Sequence, residues 1–261
     1  ISAAVGNDTA LVCVMTANNE VGSIQNISAL ADITRSRGVL FHVDAVQAVG
    51  KMRLDLHALG VDSLAISSHK IHGPKGVGLL SLREGAAIVP LAHGGGHESG
   101  RRAGTQNVAG IVGFAAAMRL VHRELDARVA KMRLLQRRLR EGILRRIPRV
   151  RVNGDPERGI PNILNIAFDY VEGEAIVLSL DALGICVSSG SACASGSMEP
   201  SPVLLAMGVP QSTTKGAIRF SLSADNTEAE VDLVIERLTE VIARLREISP
   251  LAQSEVDEAG Q

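Results

Sequence analysis

A lysine held between a short apolar run and a glycine–proline turn is the first residue that invites a chemical reading. Residues 63–76 read Ser-Leu-Ala-Ile-Ser-Ser-His-Lys-Ile-His-Gly-Pro-Lys-Gly. Leu64 to Ile66 predicts a buried strand, and Ser67, Ser68, His69 and Lys70 follow at its end, before the turn formers Gly73, Pro74 and Gly76. A lysine just past a buried strand end keeps its stem in the core and its amine at the rim, where open α/β sheets bind ligands. Desolvation at such a rim favours the neutral amine that a Schiff base needs. Taken alone, the pattern is better read as a surface lysine, because lysines after strands are common.

Two other strand ends supply partners. Thr9 to Met15 is nearly all apolar and predicts a buried strand of parallel type, followed by a loop that carries Asn19. Val39 to Val43 predicts the next strand, which ends in Asp44 and, three residues on, Gln47. Each residue alone has an ordinary role as a cap, a turn residue or a surface carboxylate. Together they suit one chemistry: a lysine to hold an aldehyde, a carboxylate to hold a pyridinium, and an amide for a phenolic oxygen. That set describes pyridoxal 5′-phosphate, an electron sink so long as its ring nitrogen stays protonated. Asp44 supplies the countercharge, and Ser67 and His69 are candidates to grip the phosphate.

A second stretch with chemical content runs from Ser188 to Ser197, a series of small residues around Cys193. Such composition does not pack a core and predicts mobility. Cysteine usually behaves as a small buried hydrophobe, so a thiol in a polar, bendable loop is a candidate nucleophile. Cys13, inside an apolar strand, and Cys186 read as structural. Arg219 lies among apolar neighbours, where an unpaired cation is costly. Its fork of donors suits a carboxylate, whether of a ligand or of an internal salt bridge. His93 to Thr105 is glycine-rich and basic and ends in a hydroxyl; such loops can wrap an anion, or simply cross the surface.

The elements that must position these groups alternate. Ser28 to Arg37 predicts a helix with Ser28 as N-cap and Gly38 at its stop, and Leu54 to Leu59 a short helix ended by Gly60. Val77 to Leu82 adds a strand. Strand, helix, strand, helix, strand implies right-handed crossovers and a parallel sheet. Val108 to Leu120 predicts a packed helix, and Arg119 to Arg151 a long amphipathic one with a basic outer face. That face reads as a solvated helix joining two domains rather than as a nucleic-acid surface, because no aromatic residue interleaves with the charges. Pro161 to Phe168 alternates like a half-buried strand. Glu174 to Leu183 predicts a helix, and Thr227 with Glu230 form a capping box before a further amphipathic helix. From Ser249 onward disorder is expected.

Composition sets bounds on function. The 261 residues are 46% hydrophobic and 21% charged with a net charge of −1, an ordinary globular balance without a field to attract nucleic acid or membrane. Aromatic residues make up 2%, with no Trp, which argues against base-stacking platforms. No apolar run approaches membrane-spanning length. Three cysteines without CxxC spacing and without a leader pattern point to free thiols in a reducing cytoplasm. No metal-ligand cluster is expected.

The segments Asn18-Asn19-Glu20-Val21-Gly22, His42-Val43-Asp44-Ala45-Val46-Gln47 and Ser67 to Gly76 resemble those of cysteine desulfurases of the NifS/IscS type, which belong to the fold type I, class V pyridoxal-phosphate enzymes. The resemblance runs from about Asp8 to Leu251. It implies an α/β fold: a partial large domain with a mostly parallel sheet over residues 1–120, a smaller α+β domain over 121–250, and a disordered tail over 251–261. It implies Lys70 as the Schiff-base lysine, Asp44 on the ring nitrogen, Gln47 on the ring hydroxyl, Ser67 and His69 on the phosphate, and Asn19 beside cofactor or substrate. Thr105 would reach the cofactor phosphate of a partner subunit, which implies a homodimer. The loop from Ser188 onward resembles the family's long loop and implies Cys193 as the nucleophile. Arg219 becomes the anchor of the substrate carboxylate.

The activity implied is removal of sulfur from L-cysteine, giving L-alanine and a persulfide on Cys193, with onward delivery to an acceptor such as an iron–sulfur scaffold. In the family a phosphate-binding loop and a ring-stacking histidine precede the position of Asn19. Here only 18 residues do, so an N-terminally truncated chain whose sheet lacks strands is expected. Rival readings are a selenocysteine lyase or aminotransferase of the same fold, and an inactive truncated chain that acts as a binding module. A transaminase is disfavoured by the Cys193 loop.

Overall fold

The computed structural model describes residues 1–86, 88–190 and 200–250. They form two compact units. The first comprises Ile1–Ala17 and Gln25–Leu125, the second Asn18–Ile24 together with the chain from Asp126 onward.

The first unit is built on a four-stranded sheet in the order β1 (Leu11–Met15), β2 (Leu40–Asp44), β3 (Ser63–Ser67), β4 (Gly78–Leu82). The first three strands run parallel, and β4 returns antiparallel to β3. Helix α1 (Ile27–Ser36) begins one residue earlier than the sequence suggests, because the Asn26 side chain, not Ser28, accepts the Ala29 N–H. Helix α2 (Leu56–Leu59) is capped by Asp55 and stopped by Gly60 in the left-handed conformation. One face of the sheet is covered. Phe41, Val43, Leu64 and Ile66 pack there with Ile27 and Ala31 of α1 and with Phe114, Ala117 and Val121 of α3 (Val108–Arg146).

The alternate residues are not covered. Leu11 is 51% exposed, Leu40 49% and Leu80 50%. Cys13, in register with His42, is exposed on the same face. The strand at Thr9–Met15 is therefore an edge strand with a bare face, not a buried one, and Cys13 is not a core residue. An apolar run shows that a strand can be buried, but not that a layer lies on both sides.

The second unit holds a three-stranded antiparallel sheet in the order β5 (Val150–Asn153), β6 (Ile163–Phe168), β7 (Ala217–Ser221). Strand β6 is buried along its whole length rather than half-buried. Leu164, Ile166 and Phe168 face Leu135, Leu139 and Ile143 of α3, with Ile176 and Leu180 of α4 (Gly173–Asp181) and Leu238 and Ile242 of α7 (Glu228–Glu247). On the other face Ala167 meets Val21 and Leu204, the latter from α5 (Pro202–Ala206). A short helix α6 (Gln211–Thr214) precedes β7.

Helix α3 stops at Arg146 and does not run on to Arg151. Pro148 lacks an N–H and keeps its predecessor out of the helical region, so the chain leaves the helix and forms β5. The capping box of α7 is present: Thr227 Oγ1 accepts from Glu230 N at 3.2 Å, and Glu230 Oε2 accepts from Thr227 N at 2.7 Å. Among the described residues no helix is long and apolar enough to cross a membrane.

Candidate functional site

In the first unit, the C-terminal ends of three parallel strands lie side by side. Met15 of β1 pairs with Asp44 of β2, and Asp44 with Ala65 of β3. Asp44 is exposed, on the same uncovered face as Leu40 and His42. Its Oδ1 accepts from Val46 N at 2.8 Å, which fixes the carboxylate against the turn that carries the half-buried Gln47.

Strand β3 ends in Ser67 and passes directly into a 3₁₀ turn, Ser68–Ile71, that carries His69 and Lys70. Ser67 Oγ and His69 Nδ1 are 2.8 Å apart, so hydroxyl and imidazole are oriented as a pair. The Lys70 carbonyl accepts from Lys51 Nζ at 2.6 Å. Ser68 is fully buried beneath them, against Gly73, where a Cβ would collide with the Ser68 hydroxyl. The turn is thus anchored on its inner side and presents His69 and Lys70 outward.

Lys70 is exposed; its stem does not enter the core as its place after a buried strand suggests. The residue alternates away from Ser68 and Ile71, which take the inward positions. Thr105 is exposed in the segment before α3.

Asn19 falls in the second unit, apart from the group on β2 and β3. Its carbonyl accepts from Arg219 Nη1 at 2.9 Å. Arg219 sits on β7 opposite Asn165 of β6 and forms an antiparallel bridge with Ser188. The arginine is therefore held from its backbone, with one arm of its fork on a main-chain oxygen. Cys193 and residues 191–199 lie outside the described residues, as does the tail from 251. Cys186, read as structural, is exposed. Among the described residues no cluster of His, Cys, Asp and Glu is arranged to hold a metal ion.

One residue of this unit was missed in the sequence. Glu20 is 5% exposed, and its carboxylate accepts from Ser201 Oγ at 2.6 Å. A glutamate next to a turn asparagine carries no signal of burial; only the packing of Asn18–Ile24 against β6 reveals it.

The chain belongs to the class-V aminotransferase family, whose model matches residues 1–234. It is 50% identical over its full length to a cysteine desulfurase of Trichormus azollae, of which it spans 64%. A solved NifS-like protein superimposes with a TM-score of 0.85 at 40% identity, covering 94% of this chain and 64% of that one. SspA, solved in complex with cysteine, gives a TM-score of 0.70 at 28% identity over 87% of this chain and 62% of that one.

Proteins of this family depend on pyridoxal 5′-phosphate. The donor set on β2 and β3 fits that group: a carboxylate for the ring nitrogen, a paired hydroxyl and imidazole for a phosphate, and a primary amine for the aldehyde, all at one sheet edge.

Proposed function

We propose that this chain is part of a cysteine desulfurase, an enzyme that takes sulfur from L-cysteine, releases L-alanine, and holds the sulfur as a persulfide on Cys193. The observation that carries the reading is the convergence of Asp44, the Ser67–His69 pair and Lys70 on the C-terminal ends of adjacent parallel strands. Identity of 50% over this chain to a cysteine desulfurase, of which the chain spans 64%, supports the choice within the family.

Bound pyridoxal phosphate supplies a sink for the electron pair left at the substrate α-carbon. The chain's own residues do the rest. Asp44 keeps the proton on the ring nitrogen, and Gln47 bonds the ring hydroxyl. Ser67 and His69 donate to the phosphate, and Thr105 to the phosphate of the cofactor held by the partner subunit. Lys70 Nζ takes the α-proton and returns one. Arg219 receives the substrate carboxylate, and Asn19 flanks the cofactor or substrate. The Cys193 thiolate attacks the substrate sulfur: an S–S bond forms, the C–S bond breaks, and its electron pair stays with carbon, where a proton completes alanine. The persulfide then passes to an acceptor such as an iron–sulfur scaffold protein.

Purified protein should be yellow and be bleached by borohydride. Cys193→Ser should keep that absorbance while alanine and persulfide formation vanish; a colourless protein, or full turnover by the variant, rejects the reading.

The reading includes a homodimer in the cytoplasm. Supporting the dimer are exposed apolar residues on both sides of Thr105 in the sequence: Val89 is 89% exposed, Leu91 96%, Val108 65% and Val112 59%. Supporting the reducing compartment are two exposed free thiols, Cys13 and Cys186. Sedimentation should give twice the chain mass, and Leu91→Asp should yield the monomer; a monomeric parent protein removes the dimer from the proposal.

A further inference from the structure

Two asparagines and an arginine stand in one row across the sheet of the second unit. Asn153 of β5 is in register with Asn165 of β6, and Asn165 with Arg219 of β7. Residues directly opposite on neighbouring strands share a face, and here it is the face on which Ala167 meets Val21. Neither asparagine has a task in the chemistry above, yet Asn165 is 1% exposed and Asn153 3%. A buried amide is costly unless its groups are paired.

The pairing runs in one direction, toward the loop that carries Asn19. Asn153 Nδ2 donates to Asn165 Oδ1 at 2.9 Å, and Asn165 Nδ2 donates to the Glu20 carbonyl at 3.2 Å. Arg219 Nη1 donates to the carbonyl one residue before it, that of Asn19, at 2.9 Å. Asn153 Oδ1 meets no partner among the described residues, so this amide serves through its donor. By engaging Asn165 Oδ1 it turns the Nδ2 end of Asn165 to the loop. The loop is stiff at the same place: Asn18 Oδ1 accepts from Glu20 N at 2.8 Å and from Val21 N at 2.9 Å, and Ile160 N donates to the Gly22 carbonyl at 2.9 Å. Consecutive carbonyls at 19 and 20 are thus held by neighbouring side chains of β7 and β6. All of these residues belong to the second unit.

We infer that Asn165, oriented by Asn153, is a positioning residue for recognition of the substrate carboxylate. It fixes the Asn19–Glu20 peptide, the peptide at which one arm of the Arg219 fork ends, and so aims the guanidinium. Without Asn165 the charge of Arg219 remains but its direction is lost, and a carboxylate is received best by a fork held in one plane. This assignment rests on the reading of Arg219 as the receiver of the substrate carboxylate.

L-Alanine and ethylamine differ by the α-carboxylate alone, and neither carries sulfur to transfer. Titrating each into cofactor-loaded protein and following the cofactor absorbance gives two dissociation constants, whose ratio reports the carboxylate. The parent should favour L-alanine, and Arg219→Ala should abolish the preference. Asn165→Ala should lower it about tenfold, as a misaimed group does, with the constant for ethylamine unchanged. KM for L-cysteine should rise by a similar factor while kcat stays within about twofold. Asn165→Asp keeps the size of the side chain and the acceptor for Asn153, but it loses the donor to Glu20 and sets a carboxylate opposite Arg219. It should lower the preference at least as far; a preference kept by Asn165→Asp marks a space-filling role and overturns the assignment. Asn153→Ala should lower the preference about threefold, the worth of one hydrogen bond, and decides the matter where Asn165→Ala does not fold. An unchanged preference in Asn165→Ala, or in Asn153→Ala where the former fails to fold, overturns the positioning role, as does an equal loss for both ligands. A parent that does not favour L-alanine, or an Arg219→Ala variant that does, overturns instead the reading of Arg219, and the role of Asn165 falls with it.

Discussion

Lys70 owes its place to a residue that does no chemistry. The 3₁₀ turn carrying it folds down onto Ser68, and Ser68 sits against Gly73, whose N–H donates to the Ser68 carbonyl at 3.1 Å. A Cβ at Gly73 would collide with the Ser68 hydroxyl and stand 3.2 Å from both Ala117 Cβ and the Ser68 carbonyl. Gly73→Ala should therefore destabilise the protein by about 1–3 kcal/mol, the usual range for overpacking, and lower cofactor retention more than a surface substitution does. Thermal melts and cofactor absorbance after gel filtration check this; an unchanged melt together with full retention would show that the turn is free to shift. At this scale the sequence was most informative for residues that keep company. The placement of Asp44, His69 and Lys70 at the ends of β2 and β3 was legible because strand ends announce themselves. Glu20 was not, since burial of a carboxylate depends on Asn165 and Ser201, residues 145 and 181 positions away. The side-chain setting of Lys70 was likewise misread, because the 3₁₀ turn after β3 takes Ser68 and Ile71 inward and leaves Lys70 outward.

At the scale of elements, helix α7 illustrates how much local signals carry. Its capping box is written in four residues and appears in the structure as written. Thr227→Ala removes the acceptor for Glu230 N and should cost about 1 kcal/mol, a fall of about 2–4 °C in Tm for a chain of this length. The same helix should be sensitive to acid. The Glu230 carboxyl is held below its ordinary range by the Thr227 N–H and then by Asn226, and Asp232 by its hydrogen bonds from Arg138. A carboxylate whose pKa is depressed on folding stabilises the fold at pH above its unfolded value, and that contribution is lost as pH falls through the folded one. Stability should thus be flat near neutrality and decline through and below the carboxylate range. Glu230→Gln, which removes the titrating carboxyl, should flatten part of that decline, and parallel acid titrations of parent and variant would expose a wrong sign. Element boundaries were less legible where a distant neighbour decided them. The end of α3 and the strand after it follow from Pro148, which the helical pattern of apolar residues overran. Strand β6 is enclosed on both faces because Val21 and Leu204 come from elsewhere in the chain.

For the molecule as a whole, the parallel order of β1, β2 and β3 was readable from alternation of strand and helix, whereas the sequence pattern announced only one strand, β6, of the three-stranded second sheet. The bare face of the first sheet was not legible, because covering layers leave no mark on the strand they cover. Nor was the excursion of Asn18–Ile24, which leaves the first unit after Ala17 and rejoins it at Gln25. This detour makes the two units genetically inseparable. A gene divided after codon 125 would encode a C-terminal half with a vacancy where Val21 packs on Ala167 and Leu204, a lost acceptor for Asn165, and a severed tie at Ser201. Such a half should melt at a lower temperature than the same residues in the intact chain and regain part of the difference when a synthetic 16–26 peptide is supplied in trans. Any lineage that tried to shuffle the second unit onto another protein would have had to carry along that short strip, which the sequence places inside the first.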